Sequence, residues 1–293
     1  MIEAPHGAVI AVVGPTATGK SDLALDLAER EPSEIVNADA MQLYRGMDIG
    51  TAKVPREARR GIPHHQLDVL DVTEEASVAA YQRSARADIE RIRAAGKRAI
   101  LVGGSGLYVR AVLEHFEFPA TDPQVRARLQ QRAEQIGPGL LHDELAQRDP
   151  EAAARIDRAN TRRIVRALEV IELTGTPFTA SLPDPTYVYP TVAIGIDVDG
   201  ETLDARINAR AKEMFARGLV EETEALLGRG LAEGKTASRA MGYAQALAVL
   251  AGRRTRAEAT EDVALATRQL ARRQRKWFQR DDRITWIEHY ETV

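Results

Sequence analysis

Eight residues near the amino terminus can do chemistry by their order alone. Gly14, Pro15, Thr16, Ala17, Thr18, Gly19, Lys20 and Ser21 match the pattern G-x-x-x-x-G-K-[ST] in full. Glycines let the backbone curl until successive N–H groups point at phosphate oxygens. A helix that follows aims its positive end at the same place. Lys20 adds a full charge, and the Ser21 hydroxyl can hold a magnesium ion. A flexible surface loop is the plain alternative, and the flanks argue against it. Ala8 to Val13 is a short, apolar, β-branched run that reads as a buried parallel strand. Leu23, Leu25, Leu27 and Ala28 then follow in a helix-permissive stretch. The loop therefore binds a phosphate or diphosphate, and ATP does not follow from it.

The carboxylates near such a loop narrow the chemistry. A motor ATPase or GTPase usually ends a second strand with an acidic residue for magnesium. Asp39, ending the strand candidate Ser33 to Asp39, could serve. The next strand, Arg98 to Gly104, runs through Val102 into Gly103, Gly104, Ser105 and Gly106 with no carboxylate. No base-reading motif of a GTPase is visible.

These residues need a scaffold, and the spacing of strands and helices supplies one. Residues 77–95 read as a helix that Gly96 stops. Strands alternating with helices imply a parallel α/β sheet. From Pro119 to Pro185 no strand-like run occurs, while 124–135 and 151–173 read as helices rich in Arg and Glu. Thr191 to Asp197 restores a strand, about 201–280 reads as helices, and Arg283 to Ile287 as an edge strand. The expected fold is α/β: a P-loop NTPase-like parallel sheet flanked by helices, with an α-helical insertion domain. Residues 1–118 and 187–293 form the catalytic core, and 119–186 the insertion.

Longer blocks carry a resemblance. Asp39 to Lys53, Pro63 to Asp68, Leu101 to Tyr108, Arg166 to Val170, Met241 to Tyr243 and Thr267 to Gln274 follow the phosphate loop in order. Together they resemble the bacterial tRNA dimethylallyltransferases, the isopentenyl-diphosphate:tRNA isopentenyltransferase family, from about residue 8 to 290. The resemblance implies transfer of dimethylallyl from dimethylallyl diphosphate to N6 of the adenosine 3′ of the anticodon, with magnesium and release of diphosphate. The loop would then hold the leaving group of a prenyl donor. Loop amides, Lys20 and Mg2+ would neutralise that group as the bond breaks.

The adenine amine is a weak nucleophile, and a carboxylate accepting its proton would help. Asp39 is the candidate, since open α/β sheets place ligands at the carboxyl ends of strands. A magnesium ligand or helix cap is its other reading. Ser105 stands where the family often has Thr and keeps the hydroxyl, unless it is only a turn residue. Arg210 resembles a family Arg facing the diphosphate, although an Arg on a helix is usually just solvated.

The same resemblance implies tRNA contacts at Asp39, Ala40, Met41, Gln42, Ser105 and Arg126. It also implies them at Arg162, Arg163, Ile164, Val165 and Arg166, and at Arg239, Ala240, Met241, Gly242, Tyr243 and Ala244. The family often ends that last block with Arg, so Ala244 is a departure. Arg268, Arg272, Arg273, Arg275, Lys276, Arg280 and Arg283 form the densest basic stretch. Leu270 and Trp277, seven apart, predict one packed face there, with the rest cationic for RNA phosphate. A charged, solvated helix face is the plain reading of each Arg cluster.

Composition sets outer limits. Net charge is −3, so an RNA site must come from local clustering. Cysteine is absent, which excludes disulfides and Cys-based zinc, including the zinc finger some eukaryotic relatives append. His64 and His65 are adjacent and would face opposite sides of a strand, so they read as structural. No signal or membrane-length run is seen. A monomeric cytoplasmic protein binding the anticodon stem-loop is expected. Rival readings are a P-loop small-molecule kinase, a prenyltransferase acting on free adenine nucleotides, and a non-catalytic RNA-binding protein. The Arg-rich insertion and the Asp39–Lys53 block argue against the kinase. An enzyme for free nucleotides would not need the Arg162–Arg166 cluster or the basic carboxy-terminal helix. Asp39 beside a complete phosphate loop argues against the non-catalytic reading.

Overall fold

A computed structural model describes residues 4–5, 7–116, 118–119, 121–178 and 186–288. Residues 179–185 of the expected insertion and 289–293 of the expected core lie outside the described residues. Two compact units emerge, one of residues 1–113 and 187–293, the other of 114–186.

The first unit is built on strand β1 (Val9–Val13), whose five residues are all buried. Alternate side chains go to opposite faces, as the period of a strand requires. Val9, Ala11 and Val13 join Ile89, Ile92, Val112 and Leu113 on one side. Ile10 and Val12 join Leu23 and Leu25 on the other. Both faces are covered, which is why β1 is apolar without alternation.

Strands β2 (Ser33–Asn37), β3 (His64–His65), β4 (Arg98–Gly103), β5 (Thr191–Asp197) and β6 (Ile284–Glu288) complete the sheet in the order β3-β2-β4-β1-β5-β6. Every pairing is parallel. The expected edge strand is therefore β6, while the strand expected through Asp39 stops at Asn37. Around the sheet lie α1 (Lys20–Ala28), α2 (Val78–Ala94) and α3 (Gly106–Leu113). Ser77 caps α2 by accepting the Ala80 amide, and Gly96 past its end has φ +70°.

The second unit holds α4 (Pro123–Arg148), α5 (Pro150–Arg155) and α6 (Thr161–Thr174). It contains no strand among its described residues. Leu129, Leu141, Leu145, Ile164 and Leu168 form its core. The helix expected over 151–173 is two helices. Asn160 caps α6 by accepting the Arg163 amide, so the chain turns between them. Gly137, at φ +82°, breaks α4 just before Pro138. After β5 the first unit adds α7 (Gly200–Ala216), α8 (Leu219–Leu227), α9 (Tyr243–Leu250) and α10 (Arg256–Phe278).

The carboxyl ends of the central strands crowd together. A Cβ on Gly103 would lie 2.2 Å from the Ala38 carbonyl oxygen. Gly103→Ala should therefore cost about 1–3 kcal/mol through forced backbone shifts. Gly200→Ala, with nothing within 4 Å of its added carbon, is the control. Thermal melting checks the pair: the first variant should melt several degrees lower and the second within a degree or two of the parent.

Candidate active site

The phosphate loop leaves β1 at Gly14, where a φ of +131° and an added Cβ that would lie 2.6 Å from the Ile196 carbonyl oxygen exclude any side chain. The loop closes on itself. Thr18 Oγ1 donates to the Pro15 carbonyl at 2.9 Å, and Lys20 Nζ donates to the same oxygen. Gly19, at φ +93°, turns the chain into α1, which begins at Lys20. The first-turn amides of a helix have no partner within it, and no side chain caps them here, an arrangement suited to an anion.

Two distant side chains hold the loop. Arg210 on α7 reaches Thr16 Oγ1 with Nη1 at 3.4 Å. Gln274 on α10 accepts the Thr16 amide at 2.9 Å and donates to the Gly104 carbonyl at 2.9 Å. Gln274 thus bridges the exits of β1 and β4. The charge-based reading of α10 missed it, because a neutral residue between arginines carries no signal of its own.

Across the cleft stands Asp39, two residues past β2. Asn37 braces it twice: its Oδ1 accepts the Asp39 amide, and its Nδ2 donates to the Asp39 carbonyl, both at 3.0 Å. Asp39 Oδ1 accepts the Met41 amide at 2.9 Å. Ser105 Oγ accepts the Ala40 amide at 3.4 Å, which ties the β4 turn to this segment. Gln42 Nε2 donates to the Thr51 carbonyl at 3.1 Å.

A cleft of ≈ 850 Å³, counting its open mouth, joins these parts. Thr16, Ala17, Gly19, Lys20, Ser21, Asp39, Gln42, Arg210 and Gln274 line it. Gly14, Pro15, Thr18, Ala40, Met41 and Ser105 support that lining from behind or beside it. Asp22 and His64 also line the cleft. His64 Nδ1 lies 2.8 Å from the Ile62 carbonyl, and His65 Nε2 lies 2.6 Å from Glu34 Oε2, so the two rings serve separate partners. Among the described residues no group of three or more His, Cys, Asp or Glu could cage a metal.

Burial sets the electrostatics. Burial first, and the Arg210 charge second, bring the Lys20 ammonium down to about 7, with Asp39 pulling against both. Burial also raises the Asp39 carboxyl above its ordinary value, opposed by the Met41 amide, Lys20 and the Gln42 amide. Arg210 is lowered too, chiefly by burial.

The expected RNA contacts separate by exposure. In the second unit Arg162 and Arg163 are exposed, while Ile164 and Val165 are buried. Arg126 and Arg166 both bond to Glu169. In the first unit Arg239 and Ala244 are exposed, Met241 is half-buried, and Ala240, Gly242 and Tyr243 are buried. Tyr243 donates its hydroxyl to Glu222 Oε1 at 2.6 Å, and Glu222 accepts the Ile49 amide at 3.0 Å. The Tyr243 side chain thus steadies the loop before Lys53 from inside, and its aromatic surface is closed to RNA. The side chains of Ile164, Val165, Ala240 and Tyr243 pack in cores, so at these positions only the backbone is open to a partner.

The face expected from Leu270 and Trp277 is also corrected. Ala271 and Phe278 are the buried residues of that stretch of α10, and Trp277 is 36% exposed. Arg275 pairs with Asp197, Arg272 with Asp204 and Arg283 with Asp281, and Arg268 donates to Asn208. Arg273, Lys276 and Arg280 are exposed, with no ion pair among the described residues.

Known proteins match this chain throughout. The IPP transferase family profile matches residues 42–281. A tRNA dimethylallyltransferase of Salinispora arenicola is 60% identical over 282 residues, covering 96% of this chain and 82% of the relative. One from Mycobacterium avium is 58% identical, covering 95% and 93%. Among solved structures, the tRNA isopentenylpyrophosphate transferase of Bacillus halodurans superposes with TM-score 0.71 at 38% identity, covering 96% of this chain and 90% of that one. A eukaryotic dimethylallyltransferase captured acting on tRNA superposes with TM-score 0.83 at 26% identity, covering 96% and 73%.

The Lys20 shift generates a pH test. Above about 7 the free ammonium loses its proton, so an anion can bind only by restoring it. Inorganic diphosphate affinity should fall by up to about tenfold per pH unit above that value. In Lys20→Arg, whose guanidinium stays charged, calorimetry should find no such loss between pH 7 and 9.

Proposed function

This chain belongs to the IPP transferase family, and we propose that it transfers dimethylallyl from dimethylallyl diphosphate to N6 of the adenosine just 3′ of the anticodon in tRNA. One observation carries the chemistry: an anion-holding loop and a raised carboxylate line the same cleft.

In the reaction the bond between the allylic carbon and the diphosphate oxygen breaks, and its electron pair leaves with diphosphate. The N6 lone pair bonds to that carbon, and the N6 proton passes to Asp39. Loop amides, Lys20 and Arg210 stabilise the charge that develops on the leaving group. A carboxylate raised by burial is a better proton acceptor than an ordinary one, and such help is worth about 10²–10⁴-fold. Ser105, tied to the Ala40 amide, keeps a hydroxyl beside the acceptor nucleotide.

The donor set fits magnesium. That ion takes few protein ligands and fills its other positions with water and phosphate oxygens. The Ser21 hydroxyl, which lines the cleft, would hold it. When bound, the ion neutralises charge on the diphosphate.

The acceptor must leave its stack for N6 to reach Asp39, at a cost of a few kcal/mol that is smaller in a loop than in a duplex. Cationic side chains gripping the anticodon stem offset that cost. Arg162, Arg163 and Arg239 suit this by exposure, as do Arg273, Lys276 and Arg280. The segment from Asp39 to Gln42 would meet the target base. No helix among the described residues is long and apolar enough to cross a membrane. With tRNA as the acceptor, the reaction belongs in the cytoplasm, and the enzyme is proposed to act as a monomer.

Labelled dimethylallyl diphosphate mixed with unmodified tRNA should give labelled tRNA in the presence of magnesium, while AMP stays unlabelled. Label on AMP, or ATP consumption without prenyl transfer, would overturn the reading. Asp39→Ala should lower kcat by about 10²–10⁴-fold while tRNA affinity changes only a few-fold. Normal turnover at saturating tRNA in that variant would remove Asp39 as the base.

A further inference from the structure

Glu169 holds a carboxylate where water cannot reach. It lies on α6, and its side chain has 0% exposure. A buried charge must be paired and hydrogen-bonded, or it neutralises. Here both oxygens are occupied. Oε1 accepts the Asp122 amide at 3.0 Å. Oε2 accepts Nε and Nη2 of Arg126 at 3.2 and 2.9 Å, and Nη1 of Arg166 at 2.9 Å. Burial alone would push the carboxyl up, but the hydrogen bonds from Arg166, Arg126 and the Asp122 amide hold it below its ordinary value.

The two arginines come from different helices, α4 and α6. Left to themselves, two guanidinium groups repel and wander, since each side chain has many rotamers. A carboxylate shared between them removes both tendencies. Arg166 is fixed again where Nη2 donates to the Pro119 carbonyl at 2.7 Å. Yet neither is sealed in: the Arg126 side chain keeps 39% of its surface exposed and the Arg166 side chain 25%. Arg162 and Arg163, four and three residues before Arg166 on α6, are exposed. Three charges, two positive and one negative, leave a net cation whose donors point in fixed directions.

We propose that Glu169 is a positioning residue for RNA recognition, fixing Arg126 and Arg166 as one rigid fork for a backbone phosphate of the substrate RNA. This rests on the reading that the second unit takes the anticodon stem. The opposite role is equally definite in its consequences. If Glu169 merely competes with phosphate for the two guanidinium groups, removing its charge must strengthen RNA binding.

The test measures binding of an unmodified anticodon stem-loop across a salt series, with steady-state kinetics alongside. Glu169→Gln keeps the shape and removes the charge; Glu169→Asp keeps the charge on a stem too short to span both arginines, and gives the answer if the first variant folds poorly. Both should weaken RNA binding, the first by about tenfold as the fork loses its order. KM for tRNA should rise with it, while KM for the donor and kcat at saturating tRNA stay unchanged. The Arg126→Ala/Arg166→Ala double variant should flatten the log–log salt slope by roughly 0.7–0.9 for each phosphate that the protein no longer neutralises. Tighter or unchanged RNA binding in both Glu169 variants, with the double variant weakened, would overturn the positioning role alone. A double variant that binds like the parent would remove the reading beneath it and the inference as well.

Discussion

Lys20 and Asp39 carry opposite charges in a cleft where burial disfavours each of them. Left free, both side chains would turn toward water. Each is held instead by backbone that has no other place to go. Gly14 lies against the Ile196 carbonyl and Gly103 against the Ala38 carbonyl, so the strand ends meet without room for a side chain. Asn37 fixes the Asp39 main chain from both sides, and its own carbonyl accepts the Tyr81 hydroxyl at 2.7 Å. Lys53, buried behind the cleft, bonds Asp48, Asp68 and the Tyr44 carbonyl, closing the loop that carries Gln42 and Thr51. Burial lowers the ammonium and raises the carboxylate, and the packed carboxyl edge of the sheet holds both where that burial acts on them.

Much of this is legible in the sequence because it is local. The apolar run before Gly14, the loop and the helix after it form one uninterrupted stretch, and period and turn chemistry are enough to read it. Asp39 stands out because it follows a strand. What the sequence conceals is non-local. Gln274 meets Thr16 across 258 residues of chain, and although it closes one of the blocks that carry the resemblance, nothing local assigns it that partner. β3 is two residues long, too short for any period to show. Leu270 and Trp277 read as the packed pair, but Ala271 and Phe278, one position further on and with the same seven-residue spacing, take the inner face, and spacing alone does not choose between the two pairs.

The arginines teach a related point about charge. Counted along the chain they suggest a broad cationic surface. In the folded units several of them are engaged by a partner: Arg275 by Asp197 and Arg283 by Asp281, while Arg126 and Arg166 share the single charge of Glu169 and stay partly exposed. The field that an RNA would meet comes from a few exposed groups, with the rest of the charge turned inward to build the fold. A net charge of −3 is thus compatible with an RNA partner, because what matters is which cations stay outward.

The bridge from Gln274 to Thr16 and Gly104 also says something about time. The loop and β1 are made well before α10. Between them come the whole helical insertion and the strand β5 that lies along β1. A nascent chain can therefore display the phosphate loop long before it owns the residue that clasps it. The site is closed by contacts between residues far apart in the chain, and these cannot form until α10 has been made. Synthesis and readiness are thereby separated: the half-made polypeptide has a cradle without a latch.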